Sequence, residues 1–273
     1  MNLSRYIKTF KNWPTIFFNV SRKNFNFNVK YRDGRILPAI SQAYLYLLSF
    51  SPKNLNYDQL DDIINFDFNG KQVKMKGGLN NGDLGSIFGE ECYDVEVEGK
   101  VVLDIGANIG DSSIFFALKG ASKVIAFEPM PANYITLEQN IALNSLQNII
   151  VPMRNGVSAT KKIVHLPGKV LGTTINASTM ETYSGKEEIE FMDLSEVVLS
   201  IRPHVLKIDC EGCEFEIFRS VSQGVLQMIE IIVGEYHDNG FRELKQIFEN
   251  AGFVCKYKKT RLSIGLFIAR RRI

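Results

Sequence analysis

From residue 101 onward, short apolar runs take turns with stretches whose apolar positions recur every three or four residues. The runs lie at 101–105, 123–127, 148–153, 162–166, 205–209, 229–235, 253–257 and 263–269 and read as strands. The helix-period stretches lie at 112–119, 131–144, 194–201, 214–222 and 241–250. This alternation predicts a parallel sheet with helices on both faces. The closing pair of strands is joined only by a short basic turn around Lys259, a link that permits an antiparallel hairpin and nothing else. Gly252 follows the last helix as a C-terminal cap.

The first ninety or so residues follow a different pattern. Leu3, Tyr6, Ile7, Phe10 and Trp13 fall at helical spacing with Arg5, Lys8 and Lys11 among them, and Pro14 ends or kinks the run. The plain reading is a first helix packed on the main domain; the sharper one is a peripheral membrane contact through residues 1–25. Residues 39–48 read as a second helix. Residues 63–68 and 72–76 flank Asn69-Gly70, which is hairpin chemistry. Two stretches lack periodicity: 77–92, rich in glycine, and 167–188, rich in Gly, Ser, Thr and Asn. Each reads as a binding loop or a plain surface connection. The chain thus divides into a helical and hairpin extension, 1–92, and a main domain, 93–273.

Composition narrows the function classes. An apolar content of 45% with 23% charged residues is ordinary for a globular protein, and a net charge of +2 gives no reason to expect a nucleic-acid partner. No apolar run approaches the roughly 18 residues that cross a bilayer, and no secretory leader is read at the N-terminus. Four cysteines are too sparse for a disulfide scaffold in a chain of this length, so a reducing, cytoplasmic setting is expected.

The candidate chemistry gathers where each strand ends. In an open α/β sheet, ligands bind beyond the carboxyl ends of the strands. The first strand runs through Asp104, Gly106, Asn108 and Gly110 into a helix, a turn that brings a ligand to the backbone and to a helix N-terminus. A dinucleotide fingerprint would carry glycine where Asn108 stands, so the turn disfavours a pyrophosphate and an NAD-dependent oxidoreductase. Glu128 ends the next strand, where an acid accepts ribose hydroxyls. Acid, glycine turn and second acid together suit S-adenosylmethionine, with its amino acid end, free ribose hydroxyls and positive sulfur.

The sequences Val102-Leu-Asp-Ile-Gly-Ala-Asn-Ile-Gly110, Ala126-Phe-Glu-Pro-Met-Pro131, Leu206-Lys-Ile-Asp-Cys-Glu-Gly-Cys-Glu214 and Gly234-Glu-Tyr-His237 occur in order. Residues from about 95 to 258 resemble an FkbM-type methyltransferase, a class I S-adenosylmethionine-dependent family. The resemblance implies a Rossmann-like α/β fold, with a seven-stranded, mostly parallel sheet ending in an antiparallel hairpin. It also implies methyl transfer, usually to a hydroxyl oxygen; the acceptor stays open among a sugar, a glycan and a small metabolite. On it, Asp104, Gly106, Asn108 and Gly110 hold the methionine part, Glu128 the ribose, and Asn155, Gly156 and Val157 lie near the adenine. Cys210 and Cys213 depart from the family pattern, where small or aliphatic residues are common.

An alcohol is a poor nucleophile until it loses its proton. His237 is the leading general-base candidate, with Asp209 as base or orienting group and Glu235 and Glu211 beside them. Glu235 and His237 are two apart on a strand and so share a face. Glu214 reads as a helix N-terminal acid. A divalent cation held by Asp209, Glu211, Glu235 and His237 is a secondary reading and is not favoured. Cys210-x-x-Cys213 lacks a second pair for zinc and reads as buried small residues. The non-catalytic alternative is a nucleoside-binding or membrane-associated protein.

Overall fold

The structure is a computed structural model that describes residues 2–79, 83–166, 187–210, 212–237, 241–260 and 264–272. The chain forms two compact units, Met1–Cys92 and Tyr93–Ile273. Glu211, most of the 167–188 stretch and part of the 77–92 stretch, all singled out in the sequence, lie outside the described residues.

In the first unit, α1 (Leu3–Thr9) and α2 (Trp13–Ser21) replace the single expected helix. Phe10 leaves the helix to bridge with Tyr31, and their rings meet at 4.9 Å. Pro14 therefore does not end a helix. It stands in the first turn of the second, where its missing N–H has no partner to lose. Strands β1 (Phe27–Lys30) and β2 (Ile36–Ala39) pair antiparallel. The helix expected from residue 39 begins later, as α3 (Gln42–Leu48), because Ser41 caps it by accepting from the Tyr44 N–H. A three-stranded sheet of β3 (Asn56–Asp58), β4 (Ile63–Phe68) and β5 (Lys71–Lys76) completes the unit, with the expected hairpin at Asn69-Gly70. Phe66 and Phe68 pack edge-on against Phe88.

The second unit is an α/β fold. Its chain runs β6 (Val101–Ile105), α4 (Asp111–Leu118), β7 (Lys123–Phe127), α5 (Pro131–Leu143), β8 (Ile150–Met153), β9 (Gly156–Ser158), β10 (Lys162–Leu166), β11 (Glu187–Asp193) and α6 (Leu194–Ile201). It continues through β12 (Val205–Ile208), α7 (Glu214–Ser220), α8 (Gln223–Leu226), β13 (Ile231–Tyr236), α9 (Phe241–Asn250), β14 (Phe253–Lys259) and β15 (Gly265–Arg271). A seven-stranded sheet has the order β14-β15-β13-β12-β6-β7-β8. Strands β13 to β8 in that order run parallel, β15 is antiparallel to β13, and β14–β15 is the closing hairpin.

The centre of this sheet is buried on both faces. Leu103, Ile105, Leu206, Ile208 and Ile232 join Val197, Ile217, Phe218, Phe248 and Phe267 in one core. Residues 162–166 do not extend that sheet, as the apolar pattern alone suggested. They form β10 in a second, three-stranded sheet of order β10-β11-β9. There Val164, Ile189 and Phe191 bury a small core of their own with Met130. Among the described residues no helix is long and apolar enough to cross a membrane.

Candidate active site

Strands β6, β7, β12 and β13 are neighbours in the sheet, and their carboxyl ends carry most of the polar residues singled out above. Asp104, the penultimate residue of β6, is fully buried. Its Oδ2 accepts from the Ser112 hydroxyl at 2.7 Å and the Ser113 hydroxyl at 2.6 Å, both in the first turn of α4. Its Oδ1 lies 3.1 Å from the ammonium of Lys207, its register partner on β12. Lys207 also donates to the Gly106 carbonyl at 2.7 Å. Burial works against the Lys207 charge, but Asp104 and Asp209 outweigh it and hold the ammonium above the ordinary lysine range. The Asp104 carboxylate thus sits inside the protein, tying strand, turn and helix together.

The turn itself is constrained from both sides. Gly106 has φ +75°, and a Cβ there would stand 1.9 Å from the Asp209 carbonyl oxygen. No side chain fits. Asn108 also takes the left-handed conformation, φ +49°, which asparagine tolerates better than other side chains with a Cβ. Its N–H donates to Glu128 Oε2 at 2.8 Å, while the other carboxylate oxygen accepts from the Met130 N–H at 2.8 Å. Burial pushes the Glu128 carboxyl up to about 7, against the opposing pull of these hydrogen bonds.

Asp209, Glu235 and His237 come together at the carboxyl ends of β12 and β13, each half-buried, with one nitrogen or oxygen from each lying within 4.8 Å of the others. Tyr93 donates its hydroxyl to Asp209 Oδ2 at 3.0 Å. Glu214 is fully buried, and its Oε1 accepts from the N–H groups of Cys210 at 3.1 Å and Gly212 at 3.3 Å. The same oxygen lies 3.3 Å from His237 Nδ1. Glu214 therefore does more than sit at a helix end: it links the β12–α7 turn to the imidazole.

Two further expectations meet the structure here. Cys210 and Cys213 are not independent buried thiols but close a disulfide. The turn from β12 into α7 brings their Cα atoms to 5.6 Å, within the span a disulfide bridges. A pairing of close neighbours needs no scaffold of cysteines, which is why the cysteine count did not reveal it. Asn155, Gly156 and Val157 lie at the start of β9, which pairs with β11. Gly156 packs against the Phe191 ring, Val157 enters the main core, and Asn155 Nδ2 reaches the Glu190 carbonyl at 3.5 Å.

Sequence reasoning missed Lys207, Tyr93 and the Ser112–Ser113 pair. A lysine inside the apolar run Val205-Leu-Lys-Ile was a usable signal, because a buried lysine requires a partner. His204 has a structural role, its Nδ1 accepting from the Val101 N–H at 3.2 Å.

The strand order, the glycine turn after β6 and the acid ending β7 define a Rossmann-like class I methyltransferase fold. The chain belongs to the FkbM methyltransferase family: the Methyltransferase FkbM domain matches residues 104–255, more than half of its length. It is similar to Methyltransferase sdnD of Sordaria araneosa, at 26% identity over 205 residues, 61% of this chain and 79% of that protein. It is also similar to hexuronic acid methyltransferase AglP of Haloferax volcanii, at 29% identity over 147 residues, 51% of this chain and 57% of that one. Among solved structures, the tRNA m1G37 methyltransferase of M. jannaschii aligns with a TM-score of 0.45 and 15% identity, covering 88% of this chain and 61% of that one. Membership of the family sets aside the hydride-transfer alternative.

Proposed function

We propose that this enzyme methylates a hydroxyl oxygen of a sugar or sugar-like small molecule, using S-adenosylmethionine. The convergence of Asp209, Glu235 and His237 beside the β6 turn carries this reading, since it sets proton-accepting groups where an acceptor would meet the cofactor. The residues present suit the cofactor. Gly106 lets the β6 turn close against the Asp209 carbonyl and so fixes the turn's shape, and Glu128 offers a buried carboxylate to ribose hydroxyls. Gly110 and Asn108 complete the turn, while Asp104 acts through it, its own charge being met by Lys207. Asn155, Gly156 and Val157 are assigned to the adenine end.

When bound, S-adenosylmethionine supplies a methyl group on a sulfonium, already a good leaving group. The chain's own work is then to align the acceptor and to assist removal of its proton. Asp209 and His237 serve the second task, with Tyr93 orienting the carboxylate and Glu214 the imidazole. The name of AglP, a hexuronic acid methyltransferase, supports a sugar acceptor.

The test is a screen of sugars, uronic acids and small alcohols with methyl-labelled cofactor. A labelled methyl ether is the expected product, and label found only on nitrogen or carbon would overturn the assignment. His237→Ala is expected to lower turnover about 10²- to 10⁴-fold, the range for loss of a proton-transfer group, with an unchanged cofactor dissociation constant. Unaltered turnover would remove His237 from this role.

A further inference from the structure

We propose that Asp209, Glu235 and His237 hold a divalent cation. The proposal deepens the hydroxyl-methylation reading and rests on it for the cation's role, though not for its binding. Around a small divalent ion, ligand atoms stand about 2.1 Å from the metal, so neighbouring ligands are about 3 Å apart and opposite ones about 4.2 Å. One atom each from Asp209, Glu235 and His237 already lies within 4.8 Å of the others, so small side-chain rotations bring all three into range. The three come from the ends of adjacent parallel strands, a rigid frame for a site.

The surroundings are those of a metal centre as well. Tyr93 fixes one oxygen of Asp209. Glu214, fully buried, holds a carboxylate oxygen 3.3 Å from Nδ1 of His237, close enough to steady the imidazole of a ligating histidine. Among the described residues, Glu214 Oε2 is a buried carboxylate oxygen with no hydrogen-bond partner. Three carboxylates thus gather about one imidazole. Two carboxylates and one imidazole suit Mn²⁺ or a similar first-row ion, with positions left for water and the acceptor oxygen. Bound to the cation, the acceptor hydroxyl has a lowered pKa. With the cation bound, Asp209 and His237 assist deprotonation through it instead of taking the proton themselves: the proton passes to water as the oxygen–carbon bond forms and the carbon–sulfur bond breaks.

The probe is Mn²⁺ itself, titrated into the chelator-treated full chain and followed by electron paramagnetic resonance, with and without S-adenosylmethionine. One bound ion per chain is expected, with a ¹⁴N coupling from imidazole that His237→Ala abolishes. Asp209→Asn and Glu235→Gln, which preserve shape, are expected to weaken binding at least tenfold, and Tyr93→Phe by less. Circular dichroism confirms that each variant is folded. No bound Mn²⁺, or binding unaffected by these substitutions, overturns the proposal. If the chelated enzyme still methylates a hydroxyl at full rate, the cation's role falls while the hydroxyl reading stands. If Mn²⁺ binds as described but no hydroxyl is methylated, the site stands and the acceptor reading falls.

Discussion

At the scale of single residues, the buried charges decide most. Lys207 and Asp104 form an ion pair almost wholly out of water, and Asp104 is the main counter-charge that keeps the Lys207 ammonium charged there. Removing one partner strands the other. Lys207→Met is therefore expected to destabilise the fold by about 3–5 kcal/mol, measured by urea denaturation, and a loss below about 1 kcal/mol would show the pair to be dispensable. Glu128 behaves differently, because burial pushes its carboxyl up to about 7 instead of pairing it. The folded state then holds a proton that the unfolded chain releases near pH 4.5. This contribution to stability is present in full below that pH and is lost as the pH rises through about 7. On the proposed ribose assignment, cofactor binding runs the other way, since ribose hydroxyls would donate to the ionised form. With a carboxyl titrating at about 7, the ionised fraction rises roughly tenfold from pH 6 to pH 8. S-adenosylmethionine affinity is expected to rise by about that factor in calorimetry, and the rise should vanish in Glu128→Gln.

At the scale of elements, the turn after β6 is the feature most fully written in the sequence. Asp104, Gly106, Asn108 and Gly110 could be read as a ligand turn, because a strand that feeds a helix through glycines has few other uses. The reason for Gly106 was not legible. It is the Asp209 carbonyl, a backbone atom roughly a hundred residues away, and tertiary proximity leaves no local trace. Gly106→Ala is expected to weaken cofactor binding more than tenfold even where the fold survives, because the turn or β12 must shift. Calorimetry beside thermal denaturation separates the two effects, and unchanged binding would mean the turn yields easily. Strand β11 was legible but overlooked. Glu188, Ile189, Glu190 and Phe191 alternate exposed and buried, a period-two signal hidden behind the polar stretch that precedes it. Residues 162–166 show the converse limit: an apolar run identifies a strand but not its sheet.

At the scale of the molecule, the sheet's alternation and closing hairpin follow from the sequence because β6 to β8 and β12 to β15 are joined by short, local connections; only the long link from β8 to β12, which builds the second sheet, breaks the rule. The site is less legible because its partners come from distant strands: Tyr93 to Asp209 and Lys207 to Asp104 each span about a hundred residues. All the candidate cofactor residues nevertheless lie within Tyr93–Ile273, a compact unit with its own buried core. The first unit contributes none of them; within it Tyr6, Phe10, Ile16, Tyr31 and Leu48 are buried. Cofactor recognition is therefore assigned to the second unit. Residues 93–273 expressed alone are expected to bind S-adenosylmethionine within about threefold of the full chain, a difference of roughly 0.7 kcal/mol in binding free energy. Calorimetry on both proteins checks this, with circular dichroism to show that the shorter one is folded. A folded second unit whose affinity falls more than tenfold would mean that Met1–Cys92 takes part in holding the cofactor, and the assignment of the site to residues 104–157 would need to widen.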